Sequence, residues 1–341
     1  MTLRLISQTL QPTDAARVSR ETRAVLGGAL LGQPSGLAVP LWPVQRIAAP
    51  VLGAGAAVVE ESWQADQTLL SGQSEGIVWS RAGNLLYGVI DLDESLFAVS
   101  LASTPLQAAS NEAYRRIFRL LEAQQLPHLW RVWNYLADIT GESHGLERYR
   151  QFNIGRQDAF LEFCRGATGN VPAACAIGLA ESPLSIAFMA GDQPAVPVEN
   201  PRQVSAYHYP AAYGPRSPTF SRAALVYPPG QEILFISGTA SIVGHQTVHP
   251  GDVVGQCREA LTNVAAVVAE ANRLGRSLPY ALNELSYRVY VRHAGDFPAV
   301  RETLSPLIGA KAEAVYLQAD ICRADLLLEI EAVASHTLGN S

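Results

Sequence analysis

Hydrophobic and polar positions are most legible in the last third of the chain. Gln231–Ser237 (QEILFIS) is a short apolar run of strand length, closed by the turn-forming stretch GTASIVGHQTVHPGD. Asp252 can cap a helix, and from Val253 the apolar positions Val254, Cys257, Leu261, Val264, Val268 and Ala271 recur at helical spacing. Ser286–Arg292 (SYRVYVR) alternates as a strand does. Phe297–Ile308 reads as a shorter helix with Pro298 near its start, and Leu326–Val333 as a closing strand. Strand, long helix, strand, helix, strand predicts an α/β sandwich, a mixed sheet with helices on one face.

Residues 84–139 repeat part of that plan. Leu85–Leu92 and Ser95–Leu101 read as strands. Asn111–Ala123 reads as a helix with Ile117, Leu120 and Leu121 on its apolar face, and Leu129–Tyr135 (LWRVWNY) alternates much as SYRVYVR does. The pattern predicts an α/β (α+β) protein of two related mixed-sheet domains. The proline-rich, polar stretch 191–203 is the natural linker between residues 1–190 and 204–341.

Composition narrows the function. With 341 residues, 48% of them hydrophobic and 16% charged, the chain can build sizeable cores. Its net charge of -6 and scattered basic residues argue against nucleic acid, whose phosphates need a basic stripe. The four cysteines, Cys164, Cys175, Cys257 and Cys322, form no C-x-x-C pair, which disfavours zinc and disulfide frameworks and suits a reducing compartment. The first residues lack a long apolar core and no run is long enough to span a bilayer, so a cytoplasmic protein without membrane partners is expected. The glycines of Leu52–Val58 lack a dinucleotide fingerprint. His245 and His249 lie in a turn rather than on a zincin helix, and no G-x-S-x-G elbow occurs.

Three segments hold candidate chemistry. Along DLLLEIEAVA, Leu327, Glu329, Glu331 and Val333 share one strand face. Two carboxylates roughly 7 Å apart on an apolar strand would repel each other, and burial would keep at least one protonated and able to donate. A solvated sheet face with two exposed glutamates fits the same pattern. Tyr207–Ala223 (YHYPAAYGPRSPTFSRA) crowds tyrosines, hydroxyls and prolines with Arg216 and Arg222, which could hold carboxylates in bidentate geometry. It also suits a surface loop whose aromatics merely pack. Leu146–Phe160 sets Tyr149, Arg150 and Arg156 among aromatics, where ordinary surface arginines are the plainer alternative.

The motifs YPAAYGPRSPTFSRA, LFISGTASIVGHQTVHPGD, REALTNVAAVV, YRVYVR and DLLLEIEAVA are similar to those of the reactive-intermediate deaminase (RidA/YjgF-like) superfamily. The chain departs from the small deaminases in three ways. Arg216 replaces the aromatic after Gly-Pro, the turn reads SGTAS, and Ala314 stands where those enzymes carry a carboxylate-binding arginine. Its length, the GRQDAF segment, and YGPRSPTFSRA together with ISGTASIVGH and DICRADLLLEIEA resemble the chorismatase family over nearly the whole chain. That resemblance implies two RidA-like domains and cleavage of chorismate to pyruvate plus 3- or 4-hydroxybenzoate, or hydrolysis to a dihydroxycyclohexadienoate.

By the same resemblance Glu329 matches the catalytic acid, with no cofactor or metal and a monomeric or trimeric assembly. Chorismate carries two carboxylates, for which Arg156 and Arg216 are the expected holders, with Tyr149, Tyr207 and Tyr213 as donors and ring walls. Cys322 matches the benzoate-forming members and Ala240 the hydrolysing ones. The mixture fits the branch that makes both 3- and 4-hydroxybenzoate. An imine or enamine deaminase and a non-catalytic small-molecule binder are the rival readings.

Overall fold

The computed structural model describes residues 2–10, 24–33, 40–55, 57–99, 103–309 and 311–339. Three sheets build it. The first, ordered β1-β4-β2-β3, comes from β1 (Leu3–Leu10), β2 (Ala24–Leu31), β3 (Val44–Ile47) and β4 (Val58–Ala65). The second contains β5 (Leu70–Ser74), β6 (Ile77–Ala82), β7 (Leu85–Leu92) and β8 (His128–Ala137). After the small hairpin of β9 (Glu142–Ser143) and β10 (Leu146–Glu147), β11 (Ala173–Leu179) and β12 (Leu184–Gly191) complete it in the order β11-β8-β12-β7-β6-β5. The third runs β13-β14-β15-β20-β18-β19. Its strands are β13 (Val196–Val198), β14 (Ala223–Val226), β15 (Gln231–Thr239), β18 (Ser286–Val291), β19 (Glu313–Gln318) and β20 (Leu328–Thr337), with the hairpin of β16 (Ile242–Val243) and β17 (Gln246–Thr247) set apart.

The two six-stranded sheets are wired alike. In each, the third and fourth strands along the chain are bridged by a helix, α1 (Pro105–Ala123) or α3 (Val253–Leu274). A second helix, α2 (Arg148–Glu162) or α4 (Phe297–Ile308), then crosses over to a parallel strand. The last strand returns antiparallel into the middle. The first sheet repeats the last four strands of this plan in chain order, with β2 parallel to β3 and β4 antiparallel between β1 and β2.

Local chemistry starts and stops the helices. The Thr104 hydroxyl accepts from Gln107 N ahead of α1, with Pro105 at the first position, and Asp252 accepts from Gly255 N ahead of α3. Gly309, at φ 90°, ends α4. Helices α1 and α2 cover the outer face of the second sheet, where Ile117, Phe118, Leu121 and Phe152 pack, and α3 and α4 cover the third through Val264, Val268, Val300 and Leu304. The inner faces of all three sheets meet in one core that includes Leu26, Trp63, Tyr87, Trp133, Phe235 and Tyr290. No helix is long and apolar enough to cross a membrane among the described residues.

Several expectations shift. Residues 95–99 form no strand: Asp93 accepts from Ser95 N and starts a 3-10 turn over Glu94–Leu96, while positions 100 and 101 lie outside the described residues. Residues 191–203, read as a linker, carry β13 on the edge of the third sheet. Strand β19 lies between α4 and the closing strand, where none was read, and β20 runs from Leu328 to Thr337. The solvated-face reading of Glu329 and Glu331 fails. Leu328 and Ile330 face the helices, so the two glutamates point inward, 4% and 5% exposed.

Candidate active site

The edge strand β11 of the second sheet meets β14 and β15 of the third. Ala173 bridges Ser221, the Ala174 amide donates to Ser237 Oγ at 2.9 Å, and Ser237 Oγ donates to Ser221 O at 2.6 Å. Gly178 and Asp320 bridge the same junction further along. Above this seam a cavity of about 480 Å³ opens, within the size range of small-molecule sites of roughly 300–1,000 Å³. One wall is Ala174–Ala176 on β11 with Tyr149, Arg150 and Arg156 on α2. The other is Glu329 on β20, Gly238 near the end of β15, Ala240 just after it, and Cys322 and Arg323 before β20. Tyr209, Tyr213, Phe220 and Arg222 close it from the proline-rich loop.

Glu329 is the acidic centre. Burial, and after it the charge of Glu331, pushes its carboxyl up to about 8, against the smaller opposing pull of Arg131 and Arg222. Near neutrality the group is therefore a carboxylic acid. Gly238 makes room for it: a Cβ there would lie 1.8 Å from Glu329 Oε1. Gly238→Ala should cost about 1–3 kcal/mol of stability by overpacking and displace the carboxyl. A crystal structure of that variant with Glu329 unmoved would show that the glycine does not set its position.

Three arginines face the cavity with donors to spare. Arg156, 1% exposed, donates from Nη2 to Asn153 Oδ1 at 2.7 Å and lies over the Phe152 ring. Arg222 donates from Nη2 to Val204 O and to the Tyr209 hydroxyl, both at 2.8 Å. Arg323 donates to His245 O at 2.9 Å and stacks over Tyr213, whose hydroxyl donates to the same carbonyl at 2.7 Å. Tyr209 is flanked by both Arg222 and Arg323. Among the described residues, Arg156 Nε, Arg222 Nε and Arg323 Nη2 are buried without a hydrogen-bond partner. Unpaired buried donors on charged groups are costly, and the three guanidiniums that carry them line a cavity suited to an anion. Burial raises the Tyr149 hydroxyl above its ordinary range, leaving it a neutral donor. Burial, reinforced by the Glu329 charge, pushes the Cys322 thiol up to about 12, so it is a neutral wall rather than a thiolate.

Of the residues singled out from sequence, Glu329, Tyr149, Arg156, Tyr213, Cys322 and Ala240 converge on the cavity. Arg216 and Tyr207 do not. Gly214, at φ 136°, turns the loop outward, and Arg216 is 45% exposed in an ion pair with Asp158 at 3.2 Å. Tyr207 sits in the 3-10 turn Ala206–His208 with its ring against His208, and it is Tyr209, two residues on, that reaches the cavity. Arg222 and Arg323 take the place expected of Arg216. His245 meets Tyr213, and His249 approaches Glu259.

The family model "Chorismatase FkbO/Hyg5-like, N-terminal" matches residues 61–190. A chorismatase of Streptomyces rapamycinicus is 40% identical over 286 residues, covering 81% of this chain and 82% of that protein. A 3-hydroxybenzoate synthase of Streptomyces hygroscopicus is 39% identical over 285 residues, covering 80% of each. A crystal structure of a chorismatase superposes with a TM-score of 0.84 at 32% identity, covering 98% of this chain and 99% of that one.

Proposed function

The chain belongs to the chorismatase family, and from that footing we propose that it cleaves chorismate, releasing pyruvate together with 3- and 4-hydroxybenzoate. The observation that carries this is a buried carboxyl, its pKa raised by burial to about 8, set in one cavity with three arginines. Chorismate is a dianion with an enol ether, and that donor set suits it. Arg156 on α2 and Arg222 with Arg323 on the opposite wall would each take a carboxylate, while Tyr149 and Tyr213 supply hydroxyls at the margin.

In this reading the Glu329 carboxyl gives its proton to the terminal methylene of the enolpyruvyl group. The vinyl carbon becomes a methyl, and the ether carbon becomes an oxocarbenium ion. The new Glu329 carboxylate faces that cation and stabilises it. Pyruvate then leaves and the ring loses one proton to become aromatic, so that chorismate divides into pyruvate and hydroxybenzoate with no water consumed. Ala240 on the cavity wall favours a second reading, hydrolysis to the dihydroxycyclohexadienoate, because the family's hydrolysing branch resembles this chain there. Cys322 and the 3-hydroxybenzoate synthase relative favour the aromatic products.

One experiment tests both levels: pyruvate release measured from pH 6 to 10 with the ring product identified chromatographically. The donor is the neutral form of an acid, so activity is full below its titration and lost as pH rises through it. kcat/KM should hold to about pH 8 and then fall roughly tenfold per pH unit. A flat profile would rule out a carboxylic acid as the rate-limiting donor, and a dihydroxycyclohexadienoate as sole product would select hydrolysis.

A further inference from the structure

Beside the cavity, where the three sheets meet, lies a second polar group of residues that no step above uses. Glu331 pairs with Arg131 of β8, lies 3.0 Å from Arg288 of β18, and accepts from the Tyr290 hydroxyl at 3.0 Å. Arg288 also pairs with Glu61 of β4 and donates to the Tyr135 hydroxyl at 2.8 Å. Each sheet thus contributes to one buried cluster of two carboxylates and two guanidiniums, around a cavity of about 50 Å³. Its formal charge sums to zero. Burying four charges for stability alone is a poor bargain, since well-packed apolar residues often do as well.

The cluster touches the site through one strand. Glu331 is two residues beyond Glu329 on the same face of β20, about 7 Å along it, and Tyr290 is paired opposite Glu329 on β18. We propose that Glu331, gripped by Arg131 and Arg288, is a positioning residue for the acid: a fixed negative charge that holds the Glu329 carboxyl neutral and ready to donate. The inference rests on the reading of Glu329 as the proton donor.

The other charged or titratable groups around Glu329 set the balance. Arg131 from β8 and Arg222 ahead of β14 pull toward the anion, and Glu147 of β10, Arg150 and Arg156 of α2, and Arg323 and Asp325 ahead of β20 line the same cavity. Tyr149 from α2, Cys175 from β11 and Cys322 are neutral, each held so chiefly by burial. Tyr290 from β18 is likewise neutral and spends its proton on Glu331. Glu331 is thus the negative charge on Glu329's own strand, paired with two arginines. Its effect on Glu329 is electrostatic repulsion through a dry interior.

The test is the alkaline limb of the kcat/KM profile for chorismate, read in Glu331→Gln and in Arg131→Gln. Glu331→Gln should move the limb down by about one pH unit, and Arg131→Gln should move it up by a similar amount. A merely structural role would lower activity in both without moving the limb in opposite directions. An unmoved limb in soluble, folded Glu331→Gln overturns the proposal. If that variant does not fold, the charge-balanced pair Arg131→Gln/Glu331→Gln decides: a limb below that of Arg131→Gln alone supports the proposal, and an equal limb overturns it. Carbon-13 NMR titration of the Glu329 carboxyl, assigned by its loss in Glu329→Gln, reads the same coupling without turnover. A shift of that resonance in Glu331→Gln alongside full activity in Glu329→Gln would mean that the coupling holds and the assigned donor is wrong.

Discussion

Glu329→Gln is expected to lower chorismate turnover by about 10²–10⁴-fold while leaving substrate affinity within a few-fold. Glutamine keeps the size and neutrality of the protonated acid, so the pocket that binds the substrate is unchanged. What it lacks is the proton that must reach the methylene. Because the native group is neutral near pH 7, the substitution adds no unpaired charge and the fold should be retained. Pyruvate assays with equilibrium binding of chorismate to the variant separate the two quantities. Undiminished pyruvate release would exclude Glu329 as the donor, and equal loss of binding and turnover would make it a substrate contact instead.

The second large effect is at Arg156. Replacing it with methionine removes a guanidinium whose buried Nε has no partner among the described residues. Losing one half of a desolvated ion pair with substrate costs about 2–5 kcal/mol, which appears as a rise in KM of roughly 30-fold or more. Stability should move the other way or not at all. Without ligand, Arg156 is a buried cation bonded to a neutral asparagine, and a methionine of similar reach fills the space over Phe152 without the desolvation penalty. Weaker binding combined with an unchanged or higher melting temperature is the expected signature. A variant that melts earlier and binds normally would make Arg156 a structural residue.

How far the sequence reaches depends on the range of the forces concerned. Helices α3 and α4 were legible within a residue or two because their apolar spacing and caps are local: Asp252, Pro298 and the residues between them carry the signal. The inward face of β20 follows from alternation, but its burial does not, since that depends on β8 and β11 arriving from far earlier in the chain. Strand β19 was missed because EAVYLQ is a short edge strand with only partial alternation in burial.

The arginines divide along the same line. Arg156 sits on a helix that buries Gln151, Asn153 and Arg156 together, and Gly155 lets that helix approach α1, where a Cβ would lie 2.1 Å from Gln107 O. The proline loop has no period, so whether Arg216 or Arg222 turns inward is set by the positive φ at Gly214 and by the bridge that Ser221 makes to β11. A signal was available for Arg222: it directly precedes the fully buried strand AALV, a position where an arginine is covered on folding. Arg323 is aimed by Tyr213 and His245, residues about eighty or more positions away, and nothing local to CRAD announces it.

Carrying three like-wired sheets on one chain has an evolutionary consequence. In a ring of identical subunits every side chain on the axis appears three times, so a glutamate there would meet two copies of itself and an arginine two more cations. Covalent joining lifts that restriction: β4 offers Glu61 and β20 Glu331, against Arg131 of β8 and Arg288 of β18, so that two acids and two cations meet and balance. The copies are then free to diverge, and at the strand positions matching Glu329 and Glu331 the second sheet has Ala187 and Met189. Broken symmetry lets a single acid be surrounded by neighbours chosen for it alone.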